Sequence, residues 1–96
     1  MTVYAIAQFT VTDRAAYRRY QSSFADVFRQ FDGELLVADE APTVEEGNWG
    51  YQKVILMSFP DGQALRTFAD SPEYRTISVD RQAGTEGVVL IAHGLI

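Results

Sequence analysis

Cysteine is absent from this 96-residue chain, and histidine, lysine and tryptophan occur once each, as His93, Lys53 and Trp49. Without a thiol there is no disulfide, no thiolate metal site and no cysteine nucleophile. Positive charge is scarce too: 8 Lys and Arg stand against 13 Asp and Glu, for a net charge of -5. A nucleic-acid surface needs clustered cations to release counterions, and the adjacent pair Arg18-Arg19 reads instead as a solvated helix face. Neither nucleic acid nor an anionic membrane is therefore an expected partner. No apolar run exceeds the five residues of Val88 to Ala92, far below the roughly 20 needed to span a bilayer. Met1-Thr2-Val3-Tyr4 lacks the basic region and apolar core of a signal peptide. With the missing cysteine, this makes a cytoplasmic location the expectation. No glycine-rich phosphate loop is present, and one histidine beside Glu45-Glu46 is too sparse a set for a metal. No cofactor and no metal are expected.

What the chain does have is apolar and aromatic. A 47% hydrophobic content with six Phe and five Tyr suffices for one packed domain over residues 1–96 and leaves no room for a second core. Val3 to Val11 is β-branched and aromatic and reads as a strand. Asp13 then suits a helix N-cap, accepting from the free amides of the first turn. Tyr17, Tyr20, Phe24, Val27, Phe28 and Phe31 follow at spacings of three and four, one apolar stripe on a helix of about five turns. Asp32-Gly33 ends it, with Gly33 suited to a left-handed C′ position. Glu34 to Asp39 is a second strand, Glu40 to Gly50 a long loop or arm, and Gln52 to Phe59 a third strand closed by Pro60. Asp61 caps a short helix carrying Leu65 and Phe68, and Ser71-Pro72 restarts a helical piece with Tyr74 and Ile77. Glu86 to Gly94 is the last strand.

The order is β-α-β-β-α-β, the ferredoxin-like split arrangement, an α+β fold whose four-stranded antiparallel sheet carries its helices on one face. A sheet with its other face in water should alternate apolar and polar residues. Val54-Ile55-Leu56-Met57 and Val88 to Ala92 are instead apolar at every position. A second copy of the sheet is the simplest cover, so an isologous homodimer through the sheet face is expected, with the Glu40 to Gly50 arm free to reach across to the partner.

Asp13, Tyr17, Tyr20 and Gly33 are followed by Gly47-Asn48-Trp49, Phe59-Pro60, Asp70-Ser71-Pro72-Glu73-Tyr74, Arg81 and Gly94. In this order and spacing, across almost the whole chain, they resemble the domain of unknown function 1330 family, within the dimeric α/β-barrel superfamily. The chain departs from that pattern at Asp39-Glu40, where members often carry glycines, and at His93, where they often carry an acid. The resemblance implies a dimeric α/β barrel and supplies no catalytic residues. The wider superfamily includes cofactor-free monooxygenases, haem-degrading enzymes, dehydratases and isomerases, as well as binding modules.

Several side chains are candidates for a small-molecule pocket between sheet and helices. His93 is the one side chain whose ordinary pKa lies near neutrality, so it is either a general base or a polar residue at a strand end. Trp49, an indole in a polar loop, either lines a pocket mouth or anchors the loop on a partner. Tyr17 and Tyr20 either fill the core or offer hydroxyls to a ligand oxygen, and Tyr74 follows the Ser71 cap on the second helical piece. Tyr4 and Gln8 share one face of the first strand, where polar groups suggest a wet cavity or an edge. Arg81 either clamps a substrate carboxylate or pairs on the surface with Asp70, Glu73 or Asp80. Cofactor-independent oxygenation or isomerisation of a small organic molecule is the catalytic expectation, and a non-catalytic binding or structural dimer its alternative.

Overall fold

The computed structural model describes residues 1–96. The elements run β1 (Val3–Val11), α1 (Arg14–Phe28), β2 (Glu34–Asp39), β3 (Lys53–Phe59), α2 (Gly62–Ala69), α3 (Pro72–Gly84) and β4 (Thr85–His93). The sheet order is β2-β3-β1-β4 with every pair antiparallel, as the split β-α-β-β-α-β arrangement requires. β2 and β4 are free edges, so the sheet of one chain does not close into a barrel.

The helix starts follow their caps. The Asp13 carboxylate accepts from the amides of Ala15 and Ala16, Asp61 from that of Ala64, and the Ser71 hydroxyl from that of Tyr74. Each satisfies a donor that the first turn leaves without an intrahelical partner. Pro72 follows at the first helical position, where its missing N–H costs nothing.

Register divides the sheet into two unlike faces. Val3, Ala5 and Phe9 are buried towards the helices, and the alternate residues Tyr4, Ile6, Gln8 and Thr10 take the opposite side. Ile6 stands between Leu56 and Leu90, and Gln8 between Val54 and Val88. The doubly apolar strands therefore present Val54, Leu56, Val88 and Leu90 to the face that no helix covers. Leu90 is 50% exposed there and Val88 41%.

The core is an aromatic cluster. Phe59, 1% exposed, and Phe68 meet Phe28 edge-to-face, at ring separations of 6.1 and 5.3 Å, contacts worth about 0.5–1.5 kcal/mol each beyond the area they bury. α1 is shorter than the apolar stripe predicts: Arg29 is its C-cap, and Phe31 packs on Phe68 from beyond the helix. Gly33 does not take the left-handed conformation expected of it, since Gly47 is the glycine with positive φ. Its constraint is steric: a Cβ would lie 2.7 Å from the rings of both Phe28 and Phe59.

A second close approach joins α3 to the start of α1. The Gly84 carbonyl accepts from the amides of Thr12 and Asp13, and a Cβ on Gly84 would lie 2.8 Å from the Tyr17 nitrogen. The last turn of α3 is thereby held beside the first turn of α1, which brings Arg81 to the side of the helix layer where Tyr17 and Tyr20 begin.

Candidate ligand-binding site

Between the helix layer and the sheet lies a cavity of about 570 Å³, within the range of roughly 300–1,000 Å³ typical of small-molecule sites. Its walls follow from helical spacing. Tyr17, Tyr20 and Phe24 project from α1, and Tyr74, Ser78 and Arg81, at intervals of four and three, from α3. Ile55 and Met57 supply the floor from β3. Val89 and Ile91 of β4 also line it, although Val89 is 53% exposed, because the helices do not fully cover that edge strand.

Two polar features enter this apolar space. The hydroxyls of Tyr20 and Tyr74 are 3.0 Å apart, and their rings meet edge-on at 6.2 Å. Burial, reinforced by the neighbouring Tyr74, holds the Tyr20 hydroxyl protonated far above the ordinary phenol range. Tyr20 thus serves as a hydrogen-bonding group, not a base. The second feature is Arg81, whose Nε is enclosed without a hydrogen-bond partner. An unpaired buried donor costs on the order of 1–3 kcal/mol. Of the three surface carboxylates offered to Arg81, Asp80 pairs with Arg19 at 3.1 Å, Asp70 with Arg66 at 3.7 Å, and Glu73 lies within 4 Å of no basic side chain.

Lys53 is a further lining residue, one that sequence reasoning missed. It is only 6% exposed, with its Nζ 5.1 Å from the Tyr17 ring centroid and 3.6 Å from the Glu40 carboxylate. The signal was available. The chain's one lysine opens an alternating series, Lys53, Ile55, Met57 and Phe59, whose other members face the helices.

Of the residues expected at one pocket, the fold brings together Tyr17, Tyr20, Tyr74 and Arg81 and leaves out the rest. Tyr4 and Gln8 share a face as expected, but it is the uncovered one, because even-numbered β1 residues alternate with the buried Val3 and Ala5. Trp49 donates from its indole Nε1 to Gln8 Oε1 at 2.8 Å, so it fastens the arm to its own chain's sheet. It lines a separate, smaller cavity of about 420 Å³, with Arg14, Glu40, Tyr51 and Lys53. His93 is exposed at the end of edge strand β4, opposite Val3, and is not part of the cavity wall. Among the lining residues the sole carboxylate is Asp70, already paired with Arg66. No cluster of three or more His, Asp or Glu is placed to hold a metal ion, and no helix is long and apolar enough to cross a membrane.

Comparison with solved structures bears out the fold. A protein of unknown function from Rhodopseudomonas palustris is 16% identical and superposes with a TM-score of 0.82, covering 99% of this chain and 83% of its own. A dimeric ferredoxin-like protein of unknown function from Jannaschia sp. CCS1 is 15% identical, with a TM-score of 0.76 over 98% of this chain and all (100%) of its own. SnoaB, a cofactor-independent oxygenase from Streptomyces nogalater, is 17% identical, with a TM-score of 0.67 over 97% of this chain and 92% of its own. No curated protein matches the chain. Residues 2–95 match the family described as Domain of unknown function (DUF1330), and the chain belongs to that family.

Proposed function

We propose that this domain is a homodimer that binds a small, largely apolar organic molecule in the cavity between helices and sheet, with Tyr17, Tyr20, Tyr74 and Arg81 as its binding residues. One observation carries the reading: an apolar cavity of about 570 Å³ into which a paired tyrosine donor and an unpartnered guanidinium converge. Convergent polar groups in an apolar space fix a ligand's orientation while the walls supply affinity. Homodimerisation through the uncovered sheet face is supported by its row of Val54, Leu56, Val88 and Leu90, and by the dimeric description of several structural neighbours. Two sheets meeting there would enclose an α/β barrel.

A catalytic reading, cofactor-independent oxygenation or isomerisation, draws support from the likeness to SnoaB. Such chemistry would need a group to accept the substrate's proton. Tyr20 remains protonated, Asp70 is paired, and His93 stands outside the wall, so binding is the better-supported function. Titration of the ¹⁵N-labelled protein with neutral 2-naphthalenemethanol tests it. Shifts centred on Tyr20, Met57, Tyr74 and Ser78 are expected. Shifts confined to the uncovered sheet face, or none with either this probe or its carboxylate counterpart at millimolar concentration, would contradict the reading.

A further inference from the structure

We propose that the cavity's ligand is an organic anion, a flat apolar molecule bearing a carboxylate or enolate, with Arg81 as its charge partner and the Tyr20–Tyr74 pair at a second oxygen. This deepens the reading of the cavity as a ligand site and rests on it. The first support is an inversion of charge. The chain carries a net charge of -5, yet the cavity wall holds Lys53, Arg66, Arg75 and Arg81 against Asp70 alone. Half of all the basic residues in the chain line this one space.

Local pairing then separates those four. Arg66 is neutralised by Asp70 and Lys53 by Glu40. Arg75 and Arg81 have no carboxylate within 4 Å, and of the two Arg75 is exposed to water. Arg81 is half-buried; its Nε is packed away from solvent, so its terminal guanidinium nitrogens are the donors open to a ligand. A guanidinium is charged at every relevant pH and presents its donors as a planar fork. A carboxylate can accept two of those donors in parallel, and reduced solvation makes such a contact stronger than it is in water.

The tyrosine pair is the second polar contact. Two hydroxyls share one hydrogen bond, so one O–H of the pair remains free to donate. It suits a carbonyl, ether or hydroxyl oxygen on the ligand. The rest of the wall includes the rings of Tyr17, Phe24 and Phe68, which favour a flat, apolar body.

A matched pair of probes tests the inference: 2-naphthoate and its neutral counterpart 2-naphthalenemethanol, titrated by calorimetry at low ionic strength. The wild-type protein is expected to prefer the naphthoate at least tenfold, or about 1.4 kcal/mol. Arg81→Gln should bring the ratio to within about twofold of unity. Arg29→Gln, whose side chain pairs with Asp26 outside the cavity, should keep the wild-type ratio. Equal affinities in the wild-type protein overturn the proposal, as does a preference that survives in Arg81→Gln. If that variant does not fold, equal affinities in the wild-type protein still overturn the proposal, and Arg81→Lys, which keeps the charge but not the planar fork, tests the residue in its place. Equal binding with the tyrosine resonances still perturbed would leave the ligand site standing, whereas failure of both probes to bind would remove it as well.

Discussion

Tyr20 lies on the apolar stripe of α1 with its ring near those of Tyr17, Phe24 and Tyr74, and its hydroxyl 3.0 Å from that of Tyr74. Burial disfavours its phenolate, so its pKa is raised in the folded state above the unfolded value of about 10. The sign follows from proton binding. Above about pH 10 the unfolded chain loses this proton while the folded chain keeps it, so the unfolded state binds fewer protons and stability falls as pH rises. Tyr20→Phe should therefore unfold less steeply than the wild-type protein between pH 9.5 and 11. At pH 7 it should be less stable by about 0.5–1.5 kcal/mol, the worth of one hydrogen bond. Urea denaturation across that pH range measures both. Parallel pH curves for the two proteins would contradict this account of Tyr20. Arg81 is the complementary residue: its Nε is packed away, and its terminal guanidinium nitrogens, paired with no carboxylate of the chain, are the donors left for another molecule's acceptor.

Among the elements, the strands and caps were legible in the sequence because their signals are local. Val3–Val11 and Glu34–Asp39 coincide with their predicted limits, and the Asp13, Asp61 and Ser71 caps bond as read. The end of α1 was not legible. The spacing of Phe28 and Phe31 continues the helical stripe, but Phe31 reaches Phe68 from beyond the helix, a tertiary contact that spacing cannot distinguish from a further turn. Gly33 was misread for a related reason, since its need is room for the rings of Phe28 and the distant Phe59 rather than a positive φ. Gly33→Ala should consequently destabilise the fold by about 1–3 kcal/mol through overpacking, as thermal or urea unfolding would show. A neutral or stabilising effect would mean that the rings of Phe28 and Phe59 can yield. The candidate site was half legible. Helical spacing grouped Tyr17 with Tyr20, whereas Tyr74 and Arg81 were read one at a time, and single residues on strands carry no sign of which face the helices cover. Tyr4 and Gln8 fell on the wrong side for that reason, and His93 at an edge.

For the whole molecule, the two sheet faces divide the work. One face carries the helices and the cavity. The other exposes Leu90, Val88 and their neighbours in a flat apolar surface, an arrangement that suits association of two copies. Because Leu90 pairs with Ile6 on that uncovered face, a charge there should disrupt association without unfolding the chain. Native mass spectrometry in the presence of 2-naphthoate addresses assembly and occupancy together. The account predicts a wild-type species at twice the 10.7 kDa chain mass, accepting one naphthoate per chain, and a shift of Leu90→Lys to the folded single-chain mass. A wild-type monomer, or a dimer that takes up no naphthoate, would contradict it.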